Sequence, residues 1–245
     1  KTFEIGKVFR NEGTSPEHAQ EFTNMEFYWS FANYEDGMKL VREMYIKIAQ
    51  EVFGKTEFTT RGFTFDLAKE WVKIDYAEEI KKQTGIDIHT ASEKDMMKKL
   101  QDLKVEYDGK NKERLMDTLW KYCRKNIAGP AFLINHPVIV APLAKMVEGT
   151  STVQMFQPII AGSEVGRGYS ELNDPIDQKE RFDSQQKLID SGDTEAMMAD
   201  HEFVEMLEHG MPPTCGFGFG ERLFAFLADK PLRELQMFPL MRPKK

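Results

Sequence analysis

The feature that most constrains this chain is a strand-like segment in which every second residue is glycine. The segment Cys215–Gly220 reads Cys-Gly-Phe-Gly-Phe-Gly. Alternating glycines weaken a strand and usually mark the close approach of a ligand or another backbone. Their period of two also differs from the longer gaps of phosphate-cradling loops. Arg222 follows at the first turn of a predicted helix, Glu221–Ala228, where its planar guanidinium could stack on an aromatic ring. We therefore predict a ligand site beside this strand.

A long polar loop joins two predicted strands near the start of the chain, and loops of this length usually carry function. Residues 2–10 and 21–33 are rich in β-branched and aromatic side chains, which is typical of strands. Arg10, at the end of the first strand, could hold a phosphate or carboxylate through two parallel hydrogen bonds. Three further side chains suit a nucleotide: Glu12 for an exocyclic amine, His18 for distal phosphates and Phe22 for the face of a base. An ordinary hairpin with a surface ion pair is the alternative on spacing alone.

A third polar segment lies between apolar flanks. Its polar residues are Gln157, Glu164, Arg167, Tyr169, Glu171 and Asp174. Glu164 could ligate Mg²⁺ through a hard oxygen, and Glu171 could pair with a cation. Alternating polar residues on a solvent-facing strand would explain the same pattern.

The periodicity of the remaining sequence predicts an α+β fold, with long antiparallel strands mixed with helices. Helices are predicted at 36–53, 75–84, 92–103, 111–127, 175–190 and 202–208, and further strands at 58–67, 131–134, 153–162 and 163–171. The region 75–127 is crowded with Lys and Glu. We predict that it is a peripheral helical insertion with a solvated face.

Composition limits the possible classes of function. The net charge of −7 and pI near 5.4 argue against a protein that holds nucleic acid by bulk electrostatics, but they allow a local basic face. Two distant cysteines, Cys123 and Cys215, indicate neither a disulfide framework nor a zinc site. No apolar run is long enough for a membrane helix, so we expect a cytoplasmic protein without a membrane partner. The start at Lys1, without Met, suggests a fragment of a longer protein.

Together these segments resemble the class II aminoacyl-tRNA synthetases. Residues 3–34 are similar to the family's motif 2 and residues 214–228 to its motif 3, in the right order. The resemblance implies one class II catalytic domain over residues 1–245, interrupted by the insertion at roughly 75–127 and truncated at its N-terminus, because nothing resembles motif 1. The strings HPVIVAPLAK (136–145) and YSELNDPIDQKERF (169–182) are most similar to the lysine-specific members.

The resemblance also implies a role for each candidate residue. Arg10 is expected to be catalytic and to contact the α-phosphate. ATP would be bound by Arg10, Glu12, His18, Phe22 and Arg222, with the adenine between the last two. Lysine would be bound by Glu26, Tyr28, Arg167, Tyr169 and Glu171. Mg²⁺ would be held by Glu164 and, more weakly, by Gln157, which stands where the family usually has a second glutamate.

Glu171 carries the expectation of lysine. Related aspartyl enzymes place an arginine there for the substrate's carboxylate, so Glu171 reverses the charge of the pocket and disfavours aspartate. A buried ammonium also needs a carboxylate partner. Arg167 replaces the family's asparagine, and we expect it near the carboxylate end of lysine.

The implied activity is ATP-dependent formation of lysyl-adenylate and transfer of lysine to tRNA(Lys). The resemblance further implies a homodimer of the full-length protein. Two alternatives remain open from the sequence: a lysyl ligase that acts on a protein acceptor, and an inactive synthetase-like binding module.

Overall fold

A mainly antiparallel sheet organises the fold. The computed structural model describes residues 1–11, 13, 15–107, 109, 111–190, 196 and 198–240, and within these ranges eight strands form one sheet. The strands are β1 (Thr2–Phe9), β2 (Glu21–Ser30), β5 (Val72–Asp75), β6 (Ala131–Ile134), β7 (Met155–Ile160), β8 (Ser163–Glu164), β9 (Arg167–Ser170) and β10 (Thr214–Gly220). Their order is β1-β2-β10-β9-β7-β6-β5, with β8 paired to β7, and β5 runs parallel to β6.

Seven helices accompany the sheet in the described part of the chain, together with a separate hairpin of β3 (Glu57–Thr60) and β4 (Phe63–Asp66). The helices are α1 (Tyr34–Phe53), α2 (Tyr76–Thr84), α3 (Glu93–Asp102), α4 (Lys112–Cys123), α5 (Pro175–Asp190), α6 (His201–Glu208) and α7 (Arg222–Ala228). This arrangement confirms the α+β prediction.

The glycine-rich strand β10 lies between β2 and β9 and is antiparallel to both. Gly216 faces Tyr28 on one side and Tyr169 on the other, and Gly218 faces Glu26 and Arg167. Because successive side chains of a strand point to opposite faces, the glycines share one face of the sheet and the large residues between them share the other.

The large residues of β10 belong to the main core, which α1 covers. Helix α1 begins at a capping box in which the Asn33 side chain accepts from two backbone amides. Tyr45 of α1 is fully buried and donates a hydrogen bond to the Val165 carbonyl oxygen at 2.6 Å. Phe217 stacks in parallel on Phe156, with ring centroids 5.5 Å apart. The face of the sheet that carries the glycines is therefore supported from behind by a dense aromatic core.

Helix α4 packs on the sheet, and α3 packs on α4. Leu119, Trp120 and Cys123 of α4 form a buried cluster with Leu133 of β6 and Ile159 of β7. The three helices predicted in region 75–127 are all present, and α4 keeps a solvated face at Lys121 while its other face is buried. A helical apolar period shows that one face is buried without showing what covers it.

Two other differences have local causes. Residues 58–67 were predicted to form one strand, but Arg61 and Gly62, with φ of 53° and 82°, turn the chain and make the β3–β4 hairpin. The predicted strand 163–171 is divided into β8 and β9 by Val165 and Gly166. No described helix is both long and apolar enough to cross a membrane.

Candidate active site

A cleft of about 640 Å³ lies along the glycine face of the sheet, where β2, β10 and β9 run side by side. The structure brings eleven of the twelve predicted site residues together in its lining. They are Arg10, His18, Phe22, Glu26, Tyr28, Gln157, Glu164, Arg167, Tyr169, Glu171 and Arg222. Glu12 lies outside the described residues. Segments separated by up to two hundred positions in sequence therefore line one cleft.

The glycines of β10 make room for the side chains of this cleft. A Cβ atom at Gly216 would overlap Oε1 of Glu171 and lie 3.0 Å from Cε1 of Tyr28. At Gly218 it would lie 3.0 Å from Cγ of Glu26, and at Gly220 it would lie 3.2 Å from the Phe22 ring. The period of two thus follows from close approach of neighbouring side chains to the backbone, whereas the sequence pattern was expected to mark the approach of a ligand or another backbone.

One end of the cleft is acidic. Burial and the nearby charge of Glu26 together raise the pKa of Glu171 to about 8. Burial also raises the pKa of Tyr28, as do the charges of Glu171 and Glu26 and its hydrogen bond to Glu26. Tyr169 lies beside them, and its pKa is raised by burial and by Glu171. Among the described residues Glu171 has no positively charged partner, so a ligand that brings a cation would stabilise its ionised form.

The opposite end carries aromatic and cationic groups. The guanidinium carbon of Arg10 lies 5.6 Å from the centroid of the Phe22 ring. Arg222 donates a hydrogen bond to the Glu164 carbonyl oxygen, and its Nη1 lies 4.0 Å from Oε2 of Glu17. Phe22 and Arg222 therefore border the same part of the cleft, as the predicted pair around a base requires.

Glu221 fastens the start of α7 to strand β2. Its Oε1 accepts from the Thr23 amide at 2.5 Å, and its own amide donates to the Thr23 carbonyl oxygen at 3.1 Å. Gln236 donates to Oε2 of the same carboxylate at 3.0 Å. These bonds fix the position of Arg222 relative to Phe22, so the two side chains at this end of the cleft are held by the same connection between α7 and β2.

His18 lies in the loop that precedes β2. Its Nδ1 lies 2.7 Å from the Ser15 hydroxyl oxygen, and its amide donates to the Ser15 carbonyl oxygen at 3.4 Å. The next residue, Ala19, is buried in a small cluster with Ala225 and Leu232. The described part of the loop is therefore a compact turn docked on the C-terminal segment, with His18 in the wall of the cleft.

The two predicted metal ligands have different surroundings. Glu164 lines the cleft and its Oε1 accepts a hydrogen bond from Trp120 Nε1 at 2.5 Å. Gln157 is buried, and its Oε1 lies 2.8 Å from Nε2 of His136. Burial lowers the pKa of His136 to about 3, so this ring is neutral near pH 7. Within the described ranges no three acidic, histidine or cysteine side chains gather around a possible metal position.

Several lining residues were not predicted from the sequence. Glu17 lies in the loop, Asn24 on β2, and Asp117 and Lys121 on α4. Asn24 donates a hydrogen bond to Glu26 Oε1 at 2.9 Å. Asn24 precedes Glu26 by two residues on β2, so the alternation of side chains could have indicated that both lie on the cleft face. The α4 residues had no local signal, because an exposed Asp and Lys on a charged helix are ordinary surface residues.

Comparison with known proteins agrees with this geometry. The family model described as tRNA synthetases class II (D, K and N) matches residues 1–242. The chain belongs to this family. It is 40% identical over 248 residues to a protein of Thermotoga sp. (strain RQ2) and 42% identical over 246 residues to one of Thermosipho africanus (strain TCF52B). A protein of Roseiflexus sp. (strain RS-1) is 39% identical over 250 residues.

All three relatives are named lysine–tRNA ligase. The alignments cover 99–100% of this chain but only 49–51% of each relative. The chain thus spans about half the length of the curated relatives it matches.

Proposed function

We propose that the protein activates lysine with ATP and transfers it to tRNA(Lys), as its relatives' names indicate for them. The observation that carries the proposal is the acidic end of the cleft. Glu171 and Glu26 bring two carboxyl groups together beside the hydroxyl groups of Tyr28 and Tyr169, and within the described part of the chain Glu171 has no positively charged partner. An ε-ammonium would supply the missing charge, whereas the carboxylate of aspartate would be repelled.

Lysine would lie along the sheet, with its ammonium between Glu171, Glu26 and Tyr28 and its methylene stem against the Tyr169 ring. Arg167 pairs opposite Gly218, which lies two residues along β10 from Gly216 in the direction of the Phe22 end of the cleft. Because a guanidinium group would repel an ammonium, we propose that Arg167 acts at the substrate's carboxylate.

ATP would occupy the other end of the cleft, with adenine between Phe22 and Arg222 and with Glu12 at its amine. His18 would approach the outer phosphates. The lysine carboxylate would attack the α-phosphorus and pyrophosphate would leave, giving lysyl-adenylate. Arg10 would stabilise the negative charge that develops on the α-phosphate, since preorganised charge supplies much of the rate in such transfers.

Mg²⁺ would be held by the Glu164 carboxylate together with the phosphates of ATP, which is the common arrangement for this ion. Its charge would shield the phosphates. The donor set fits this role because Glu164 lines the cleft and a carboxylate can accept from Trp120 while binding a cation with its other oxygen. The Gln157 oxygen lies against His136, so we propose Glu164 as the principal protein ligand.

The second step would transfer the lysyl group to the terminal adenosine of tRNA(Lys). We propose that the protein acts as a homodimer in the cytoplasm, on the same family grounds. A lysyl ligase with a protein acceptor remains the second candidate, since the amino-acid and ATP sites would be the same in both enzymes.

The test is amino-acid-dependent ATP–pyrophosphate exchange by the full-length protein, measured with lysine, aspartate and asparagine in parallel. We expect exchange with lysine alone. Exchange driven by aspartate or asparagine, or by none of the three, would contradict the proposal. Charging of tRNA(Lys) then separates the candidates: lysine-dependent exchange without tRNA charging would favour the protein acceptor.

Glu171→Gln tests the pocket itself. The amide keeps the shape of the side chain but removes its charge, so lysine affinity should fall by about tenfold or more while ATP affinity is retained. Equal losses for both ligands would show that the variant damages the whole cleft, which would count against Glu171 as the ammonium's partner. Glu51→Gln, in an exposed pair with Lys47 on α1, is the matched control.

A further inference from the structure

An unpredicted carboxylate, Glu17, lies among three arginines at the nucleotide end of the cleft. Arg61 Nη1 donates a hydrogen bond to Glu17 Oε1, and Arg222 Nη1 lies 4.0 Å from Oε2. Ser163 connects the third, since its hydroxyl donates to Glu17 Oε2 at 3.3 Å and accepts from Arg124 Nη1 at 3.2 Å. Burial works to raise the pKa of Glu17, but these charges outweigh it and the pKa lies below its ordinary value.

The balance of charge here depends on Glu17. Among the described residues, the three guanidinium groups face two carboxylates, those of Glu17 and Glu164. Oε1 of Glu164 lies 4.0 Å from Nε of Arg124. Without the Glu17 carboxylate, Arg61 and Arg222 would each lose the negative charge that it places beside them. Such a site attracts an anion with several oxygens, and guanidinium groups bind phosphate through paired hydrogen bonds.

Arg61 is held firmly at the turn of the β3–β4 hairpin. Its backbone has φ of 53°, and its amide donates to Asp229 Oδ1 at 3.2 Å. Its guanidinium carbon lies 4.0 Å from the centroid of the buried Phe226 ring. A side chain that is stacked in this way is oriented in advance, so binding an anion with it costs little conformational freedom.

Glu17 could leave Arg61 by rotation of its side chain alone. Its amide donates to the Ser15 hydroxyl oxygen at 3.1 Å, and the adjoining Pro16 carbonyl oxygen accepts from the Leu232 amide at 2.8 Å. The turn therefore keeps its backbone position whichever way the carboxylate points. Glu17 lines the cleft and contacts the guanidinium group of Arg61. That guanidinium group therefore lies directly behind the Glu17 carboxylate, as seen from the cleft.

We propose that Arg61 is a further phosphate-binding residue, which contacts the terminal phosphates of ATP, and that Glu17 competes with those phosphates for it. This inference rests on the proposed function, because it assigns a partner to the nucleotide end of the same cleft. Glu17 keeps the arginine cluster neutralised in the nucleotide-free protein. On binding, the phosphates replace its carboxylate at Arg61 and Arg222.

The test compares Glu17→Gln with the double variant Glu17→Gln/Arg61→Gln in the full-length protein. Binding of ATP, pyrophosphate and AMP is measured by calorimetry. Glu17→Gln removes the competitor, so ATP and pyrophosphate should bind several-fold more tightly than in the unaltered protein. Adding Arg61→Gln should then weaken both by about tenfold or more, because a charge-assisted hydrogen bond is lost. AMP lacks the terminal phosphates and should bind both variants equally.

The double variant is decisive because a single Arg61→Gln change would also leave Glu17 unpaired, which by itself repels ATP. If Arg61 serves only to neutralise Glu17, the single Glu17→Gln and the double variant will bind ATP with equal affinity, and the inference is overturned. A failure of the unaltered protein to bind ATP would overturn the proposed function as well. The exposed Lys47–Glu51 pair, changed to Gln at both positions, controls for loss of a surface ion pair.

Discussion

Lysine binding should release a proton from Glu171, and the size of this effect follows from the surroundings of that carboxyl group. With a pKa of about 8, Glu171 holds its proton in most lysine-free molecules at neutral pH. An ammonium placed against it favours the ionised carboxylate and drives the proton off. At pH 7 about 0.9 proton should therefore be released per lysine bound, falling to about 0.5 at pH 8.

The coupling between lysine binding and deprotonation of Glu171 also determines how the affinity for lysine depends on pH. Lysine binds the ionised carboxylate, whose population rises about ninefold between pH 6 and pH 7 and levels off above pH 8. The affinity should rise in the same proportion. Calorimetry in two buffers of different ionisation enthalpy measures both quantities, since the difference in observed enthalpy gives the number of protons released. The remote Glu51→Gln variant should behave like the unaltered protein.

A flat affinity between pH 6 and pH 8 with no proton released would refute this reasoning. It would mean either that Glu171 is already ionised without lysine or that the ammonium binds elsewhere. The two are distinguished by Glu171→Gln, which abolishes tight binding in the first case and leaves it intact in the second.

Three further outcomes are expected. Gly216→Ala should remove lysine binding and spare ATP binding, because its Cβ would overlap Glu171, whereas Gly6→Ala on β1, whose Cβ meets nothing closer than 3.5 Å, should alter neither. Arg10→Ala should slow lysine-dependent pyrophosphate exchange by about 10²–10³ with little change in folding. Glu171→Gln should raise the thermal midpoint of the lysine-free protein at pH 9. Because folding raises the pKa of the Glu171 carboxyl group from 4.5 to about 8, the folded protein loses stability as the pH rises through this range. The amide of the variant does not ionise, so the variant avoids that loss.

Part of the geometry at the acidic end of the cleft could be predicted from the sequence because its signals are periodic, whereas the roles of its residues were implied by the family resemblance alone. Glycine at every second position of 215–220 showed where backbone would be approached closely, and alternation along β2 placed Phe22, Glu26 and Tyr28 on one face. In an antiparallel sheet, the register between β2 and β10 then determines which of these side chains lie opposite the glycines. The residues concerned lie on three adjacent strands, so local pattern and sheet geometry together determine the arrangement.

The nucleotide end was less predictable because its contacts join distant segments without a periodic signal. Glu17, Arg61, Arg124 and Arg222 come from a loop, a hairpin turn, the end of α4 and the start of α7. Trp120 reaches Glu164 across 44 positions. Arg222 and Glu164 were predicted from the sequence, but Glu17, Arg61, Arg124 and Trp120 taken alone are each an ordinary surface charge or core aromatic. Only the tertiary packing of α4 and the β3–β4 hairpin brings these four residues beside the cleft.

The distribution of charge along the cleft bears on how lysine and ATP would be oriented relative to each other. Glu171 lies beside Gly216, and Glu26 and Arg167 both pair opposite Gly218. Arg10 and Arg222 lie towards the Gly220 end, together with the carboxylates of Glu17 and Glu164. An ammonium and a polyphosphate are each attracted to one end and repelled from the other. Under the proposed function, lysine would therefore lie with its carboxylate directed towards the phosphates, which is the orientation that its attack on the α-phosphorus requires. The charged groups would then favour the reactive arrangement before any chemistry occurs, and Arg10 would act on a pair of substrates that is already aligned.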